Sequence, residues 1–153
     1  MSNIITVLLI RHADIDIPDG VVDENSISLN SSGEKRAQDL VNIVEKAPIS
    51  AVYTSNIHRS IQTAQPILDR LHSSIEHKKI DSPEKIAEDI LSNYKGQNVL
   101  VIHHSNTVPE IIQILSNKIV EISGFDDFYI VNIYTSDNNE NKYTNVVHLK
   151  YGD

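Results

Sequence analysis

Short apolar runs alternate along the chain with longer segments in which apolar residues recur every three or four positions. The runs Ile4–Ile10 and Val99–Ile102 are rich in β-branched residues, which is typical of strands buried on both faces of a sheet. Ile49–Tyr53 and Ser74–Lys78 predict two further short strands. The alternation predicts an α/β domain whose central sheet is mostly parallel and carries helices on both faces, in three layers.

Four segments with apolar stripes predict the helices. The stripes are Ala37, Leu40, Val41, Val44; Ile57, Ile61, Ala64, Leu68, Leu71; Ile86, Ile90, Leu91, Tyr94; and Val108, Ile111, Ile112, Leu115. Ser31 and Glu34 fit a capping box at the start of the first helix, which we expect to end near Pro48. Pro66 predicts a kink or break in the second helix. Ser82 predicts the N-cap of the third.

Two polar segments interrupt this pattern. The stretch Asp14–Asn30 is longer than a typical strand-to-helix connection, so we expect it to cover part of a site. Near the end of the chain, Phe128–Thr135 and Lys142–Lys150 predict two strands joined by Ser136–Asn141. These strands predict a C-terminal β-hairpin at one side of the sheet. We expect residues 1–153 to form a single domain.

Composition narrows the possible partners. The formal net charge is −8, no long basic block is present, and aromatic residues make up 5% of the chain, so nucleic acid is not expected as a partner. The absence of cysteine excludes disulfides, thiolate zinc sites and cysteine nucleophiles. No stretch has the layout of a signal peptide or the length of a membrane span. We therefore expect a soluble, cytoplasmic protein.

Three strand-to-helix junctions carry the candidate chemistry. Arg11 and His12 follow the first buried strand, and His104 follows the strand Val99–Ile102. Arg59 falls in the first turn of the helix after the second strand. Because the carboxyl ends of parallel strands meet at one edge of the sheet, these side chains are expected to form one site. Arginines that hold a phosphoryl group beside a nucleophilic imidazole make a coherent arrangement for phosphoryl transfer.

Four segments resemble motifs of the histidine phosphatase superfamily, which includes the cofactor-dependent phosphoglycerate mutases. Leu9–Asp14 resembles its Arg-His-Gly-Glu signature, and Leu29–Ala37 resembles its Leu-Thr-x-x-Gly-x-x-Gln-Ala segment. Tyr53–Ala64 resembles Ser-Ser-x-x-x-Arg-x-x-Gln-Thr-Ala, and Val101–Val108 is similar to the strand with the second histidine. The motifs occur in the family's order over roughly residues 4 to 112.

The resemblance implies a phosphoglycerate mutase-like fold and a role for each matched residue. His12 would be the nucleophile that forms a phosphohistidine, Arg11 and Arg59 would bind the phosphoryl oxygens, and His104 would contact the phosphoryl group and stabilise the transition state. This constellation needs neither a metal nor another cofactor. The compact length resembles the small protein-phosphohistidine phosphatases of the superfamily. A phosphorylated small molecule or a phosphoprotein is the partner that the resemblance implies.

The proton donor for the leaving group has no clear counterpart in the sequence. Asp14, Glu76 and Asp81 are conceivable donors, and none is assigned. Without a donor, substrates with good leaving groups, such as phosphoramidates or acyl phosphates, become attractive. The alternative is a non-catalytic phosphate- or phosphopeptide-binding module on the same fold. A sugar-phosphate mutase is less favoured, because the substrate-clamping insertion of the mutases has no counterpart.

The remaining candidate groups have simpler interpretations. Five other histidines are expected to be surface or satisfied structural residues: His58, His72, His77, His103 and His148. The acidic residues of 14–24 lack the spacing of a calcium loop and are expected to be solvated. The oligomeric state has no readable signal in the sequence.

Overall fold

A computed structural model describes residues 3–17, 19–20, 23–71, 75–136 and 142–152. Within them lie six strands: β1 Ile4–Arg11, β2 Ile49–Thr54, β3 Glu76–Lys79, β4 Asn98–His103, β5 Asp127–Thr135 and β6 Lys142–Lys150. The same residues form four α-helices: α1 Ser31–Val44, α2 His58–Leu71, α3 Pro83–Asn93 and α4 Thr107–Ser116. A 3-10 turn, Glu24–Ser26, lies in the long segment after β1.

The strands form one mixed sheet in the order β3-β2-β4-β1-β5-β6. The first four strands are parallel to one another, whereas β5 runs antiparallel to β1 and β6 antiparallel to β5. This arrangement confirms the mixed, largely parallel sheet and the C-terminal hairpin. Most of the predicted connection Ser136–Asn141 lies outside the described residues.

The sheet is buried on both faces, which confirms the three-layer architecture. On β1, Ile5 and Leu9 pack with the cluster that contains α3 and α4 residues such as Ile86 and Ile111. Ile10, the next residue along the strand after Leu9, packs on the other face. There it meets residues of α1 and α2, among them Leu40, Val44 and Ile67. The continuous apolar runs of β1 and β4 follow from this two-sided burial.

One local prediction was wrong, and the predicted break at Pro66 does not occur. The N-cap of α1 is Asn30, whose side chain accepts from the amide of Gly33, and not Ser31. The amide of Asn30 also donates to the carbonyl of Asp14, which fixes this residue as the cap. Helix α2 continues through Pro66 to Leu71 without a break. By contrast, Ser82 caps α3 as expected, with Pro83 in the first turn.

No helix in the described part of the chain is long and apolar enough to cross a lipid bilayer.

Candidate active site

The ends of β1 and β4 bring two histidines together. The strands are parallel neighbours with Arg11 opposite His103, and the amide of His12 extends the ladder by donating to the carbonyl of His103 at 2.8 Å. One residue beyond, the rings of His12 and His104 lie with their centroids 5.4 Å apart. The expectation that the two strands deliver their histidines to one edge is therefore met by the geometry.

His12 is held as a neutral imidazole with a defined tautomer. Its side chain is buried, and Nδ1 lies 2.9 Å from the carbonyl oxygen of Ala13, which can only accept, so Nδ1 carries the proton. Burial is the largest of the causes that lower the pKa of His12 from 6.5 to about 3, with Arg11 and Arg59 contributing to the shift. The lone pair consequently resides on Nε2, which accepts a hydrogen bond from Nε of Arg59 at 3.1 Å.

Arg59 is positioned by the first turns of α2. Its Nη1 donates to the carbonyl of Glu24 in the 3-10 turn at 2.8 Å. The buried hydroxyl of Thr63 donates to the carbonyl of Arg59 and accepts from the amide of Ala13, which links α2 to the residue after His12. Ser60 Oγ donates to the carbonyl of Ile102 in β4. These buried hydroxyls bond α2 to β4 and to the segment that directly follows β1.

His104 has one nitrogen engaged and the other available. Its Nε2 lies 2.8 Å from Oγ of the buried Ser55, and among the described residues its Nδ1 has no hydrogen-bond partner. Burial is the largest of the causes that lower the pKa of His104 from 6.5 to about 4, with His103 and Arg59 adding to it. A neutral His104 whose Nδ1 carries the proton can donate one hydrogen bond to an oxyanion.

Arg11 completes the group of four predicted side chains. Its guanidinium carbon lies 4.0 Å from the ring centroid of Phe125, and its buried Nε has no hydrogen-bond partner in the structure. Burial and the charge of Arg59 lower the pKa of Arg11, yet a guanidinium stays charged at neutral pH. Two arginines thus lie around the histidine pair with no carboxylate bonded to either among the described residues.

A cavity of about 630 Å³ joins these groups. Its rim includes Ile15, Ile17 and Asn25 from the segment 14–30, which agrees with the expectation that this segment covers part of a site. Asp81 is the carboxylate among the described lining residues. Its oxygens accept from the amide and the side chain of Asn56, and the backbone hydrogen bond is the main cause that lowers the pKa of Asp81.

The other two conceivable proton donors lie elsewhere. The carboxylate of Asp14 accepts from Nε of Arg36 at 2.6 Å. Glu76 lies on the edge strand β3, where it accepts from the hydroxyl of Tyr94 at 3.4 Å. Neither residue lines the cavity. Of the three residues, the structure brings Asp81 alone to the site.

The remaining histidines have structural surroundings where the structure describes them. His103 is buried, with Nδ1 2.7 Å from Thr107 Oγ1 and Nε2 3.0 Å from the carbonyl of Ile80. His77 pairs with Thr54 Oγ1, His148 with Asp127, and His58 is exposed. His72 lies outside the described residues. No group of three or more metal-ligating side chains occurs in the described ranges.

Sequence reasoning missed several residues that shape the site. Phe125 comes from the segment between α4 and β5, far along the chain from Arg11, and no local pattern marks it. Ser55, Ser60 and Thr63 fall inside or beside the Arg59 motif, but their tertiary hydrogen bonds depend on the packing of α2 against the sheet.

Fold and site together define an α/β domain with a pocket whose lining includes two arginines and two histidines at the ends of parallel strands. Residues 7–80 match the family model of the histidine phosphatase superfamily (branch 1). A comparison with curated protein sequences found no match. The chain is therefore similar to the histidine phosphatase superfamily over nearly the first half of its length, and the solved structures described below share its fold.

Solved structures with the same fold include two phosphatases. The protein histidine phosphatase SixA, complexed with tungstate, is 18% identical, with a TM-score of 0.73 over 95% of this chain and 96% of SixA. Mycobacterial glucosyl-3-phosphoglycerate phosphatase is 11% identical, with a TM-score of 0.72 over 94% of this chain and 97% of that enzyme. A complex of the mycobacterial enzyme with VO₃ is similar over 92% of this chain, with 12% identity and a TM-score of 0.68.

Proposed function

We propose that the protein is a phosphatase in which Nε2 of His12 accepts a phosphoryl group from the substrate and then passes it to water. The observation that carries this proposal is the state of His12. Its proton is fixed on Nδ1 by the carbonyl of Ala13, and its low pKa leaves Nε2 unprotonated beside two arginines. A buried neutral imidazole with cationic neighbours is suited to attack phosphorus.

The first step forms the bond between Nε2 and phosphorus and breaks the bond between phosphorus and the leaving group, which departs with its electron pair. Arg11 and Arg59 supply two positive charges, which match a phosphoryl dianion, and His104 Nδ1–H donates to a phosphoryl oxygen. In the second step water attacks phosphorus, its proton passes to solvent or to Asp81, and His12 regains its lone pair. Preorganised charges of this kind provide most of the catalysis that phosphoryl transfer needs.

The leaving-group side of the site favours substrates that need little help from an acid. Asp81 is the carboxylate that the structure brings to the cavity, and its lowered pKa keeps it ionised at neutral pH. An ionised carboxylate cannot donate a proton to an alkoxide. We therefore place phosphoramidates, including phosphohistidine on a protein, and acyl phosphates ahead of sugar phosphates. Similarity to SixA, described as a protein histidine phosphatase, supports this order.

A trapping experiment with an alkaline quench tests the proposal. The protein is mixed with a ³²P-labelled phosphoramidate, quenched and analysed for protein-bound label. We expect label that is stable in alkali and labile in acid, as for a phosphohistidine, and we expect its complete loss in His12→Ala. A His58→Ala control, at an exposed histidine of the same chain, should keep the label.

Two other outcomes would favour different functions. Tight binding of tungstate without label, and without hydrolysis of an activated aryl phosphate, would indicate the phosphate- or phosphopeptide-binding module. Transfer of the label to a sugar hydroxyl instead of water would indicate a mutase. Activity that disappears on treatment with EDTA would contradict the metal-independent mechanism. A turnover panel of phosphohistidine, acyl phosphate, sugar phosphates and nucleotides then ranks the substrates.

A further inference from the structure

The guanidinium of Arg11 has an aromatic rather than an acidic support. Phe125 lies under it at 4.0 Å from ring centroid to guanidinium carbon, and the ring centroid of Phe125 is also 5.9 Å from that of His12. Nε of Arg11 is buried without a hydrogen-bond partner. An arginine that must bind an anion is poorly served by a bonded carboxylate, which would compete with the anion. The face of an aromatic ring holds the cation without that competition.

The segment that carries Phe125 is fixed by a buried carboxylate. Oδ2 of Asp127 accepts from the amides of Ser123 and Gly124 at 2.8 and 3.0 Å. Oδ1 accepts from Nε2 of His148 and Nζ of Lys150, each at 2.7 Å. Asp127 is fully buried, so these four hydrogen bonds replace its hydration. The C-terminal hairpin therefore fixes the turn that presents the ring to Arg11.

We propose that Phe125 is a positioning residue for phosphoryl binding: its ring sets the plane of the Arg11 guanidinium beside His12, and the Asp127 turn sets the ring. Phe125 is not among the residues that line the cavity, so it acts through Arg11 and not by contact with the substrate. This inference rests on the proposed function, in which Arg11 binds the phosphoryl oxygens.

Tungstate affinity, measured by calorimetry, tests this role without any turnover. We expect Phe125→Leu to raise the Kd for tungstate about 3- to 30-fold, the range of a cation–π contact, and Phe125→Tyr to keep it within about twofold. In an Arg11→Ala background, titrated to correspondingly higher tungstate, Phe125→Leu should change the Kd by less than about twofold. The single variant Phe125→Leu should also lower kcat/KM for an activated aryl phosphate, by a factor similar to the rise in its tungstate Kd.

Phe128→Leu is the matched control. Phe128 packs on Tyr151 in the core, away from the cavity, so its change should lower the melting temperature without altering the tungstate Kd. An equal effect of Phe125→Leu with and without Arg11 would overturn the proposal, as would an unchanged Kd in the single variant. If the protein binds tungstate with these dependences but forms no phosphohistidine, the proposed function fails while the positioning role stands.

Discussion

At the scale of single residues, the site is organised around histidines that the fold keeps neutral. Burial lowers the pKa of His12 to about 3 and that of His104 to about 4, and it also lowers the pKa of His103. Each imidazole makes at least one hydrogen bond that suits its neutral form. The protein thus keeps an unprotonated imidazole nitrogen near neutral pH, and its free energy of unfolding falls in acid as a consequence.

Stability should consequently fall as the pH drops below 6.5. Between the unfolded pKa of about 6.5 and the folded value of about 3, the unfolded chain binds a proton at His12 that the folded protein does not. Each such histidine lowers the free energy of unfolding by roughly 1.4 kcal/mol per pH unit within its window. His12→Asn removes one of them, so urea unfolding at pH 7, 6 and 5 should show a shallower loss.

His58→Asn serves as the control for that experiment, because it removes an exposed histidine from the start of α2. It should keep the steep decline of the parent protein. A His12→Asn protein whose stability falls as steeply as the parent between pH 7 and 5 would contradict the low pKa of His12.

At the scale of elements, helix α1 supports the segment that follows His12. Gly33 is buried in its first turn, and a Cβ there would overlap the carbonyl oxygen of Asp14. Arg36, one turn later, binds the carboxylate of Asp14 and the carbonyl of Tyr151, each at 2.6 Å. The chain therefore leaves His12 along a path set by a helix that begins nearly twenty residues later.

Gly33→Ala separates helix propensity from this close approach. Alanine in place of glycine normally stabilises a helix by up to about 1 kcal/mol. Here we expect the opposite, a loss of about 1–3 kcal/mol in the free energy of unfolding together with a lower kcat/KM, because the backbone of Asp14 must move. Ser32→Ala, an exposed neighbour in the same turn, is the matched control and should not destabilise. A Gly33→Ala protein as stable as its parent would refute the argument.

The elements also show what a single sequence can and cannot predict. β1 and β4 could be predicted because buried parallel strands are apolar throughout and end abruptly in polar residues. The polar residues at these ends are Arg11, His12 and His104. The cap of α1 was misplaced by one residue because asparagine and serine both cap well, and a tertiary hydrogen bond to Asp14 decides between them. Phe125 could not be predicted as part of the site, because its position beside Arg11 depends on a contact between distant segments of the chain.

At the scale of the whole molecule, a strongly acidic protein presents a cationic pocket. The formal net charge is −8, whereas the described lining residues of the cavity include two arginines and one carboxylate. The sheet makes this possible by gathering residues from β1, β4 and the start of α2 at one edge. The single-domain organisation of residues 1–153 stays a prediction.

Oxyanion binding should therefore stabilise the folded protein as a whole. At 100 times its Kd, a ligand that binds only the folded state adds about 2.7 kcal/mol, which corresponds to a rise of roughly 5–10 °C in Tm for a domain of this size. We expect this rise with tungstate in thermal unfolding. In Arg59→Ala the rise at the same tungstate concentration should be largely lost, whereas Arg70→Ala, on the exposed end of α2, should retain it. Equal shifts in both variants would place the anion elsewhere.

The hydrogen bond from Arg59 to Nε2 of His12 has a chemical consequence of its own. One lone pair cannot both accept an N–H and attack an electrophile, so the reagent that unmasks the imidazole has to draw Arg59 away. Phosphoryl oxygens attract a guanidinium strongly, whereas a neutral alkylating or acylating molecule offers it no charge. If His12 is the nucleophile, as we propose, this hydrogen bond shields it from neutral reagents and leaves it open to anions.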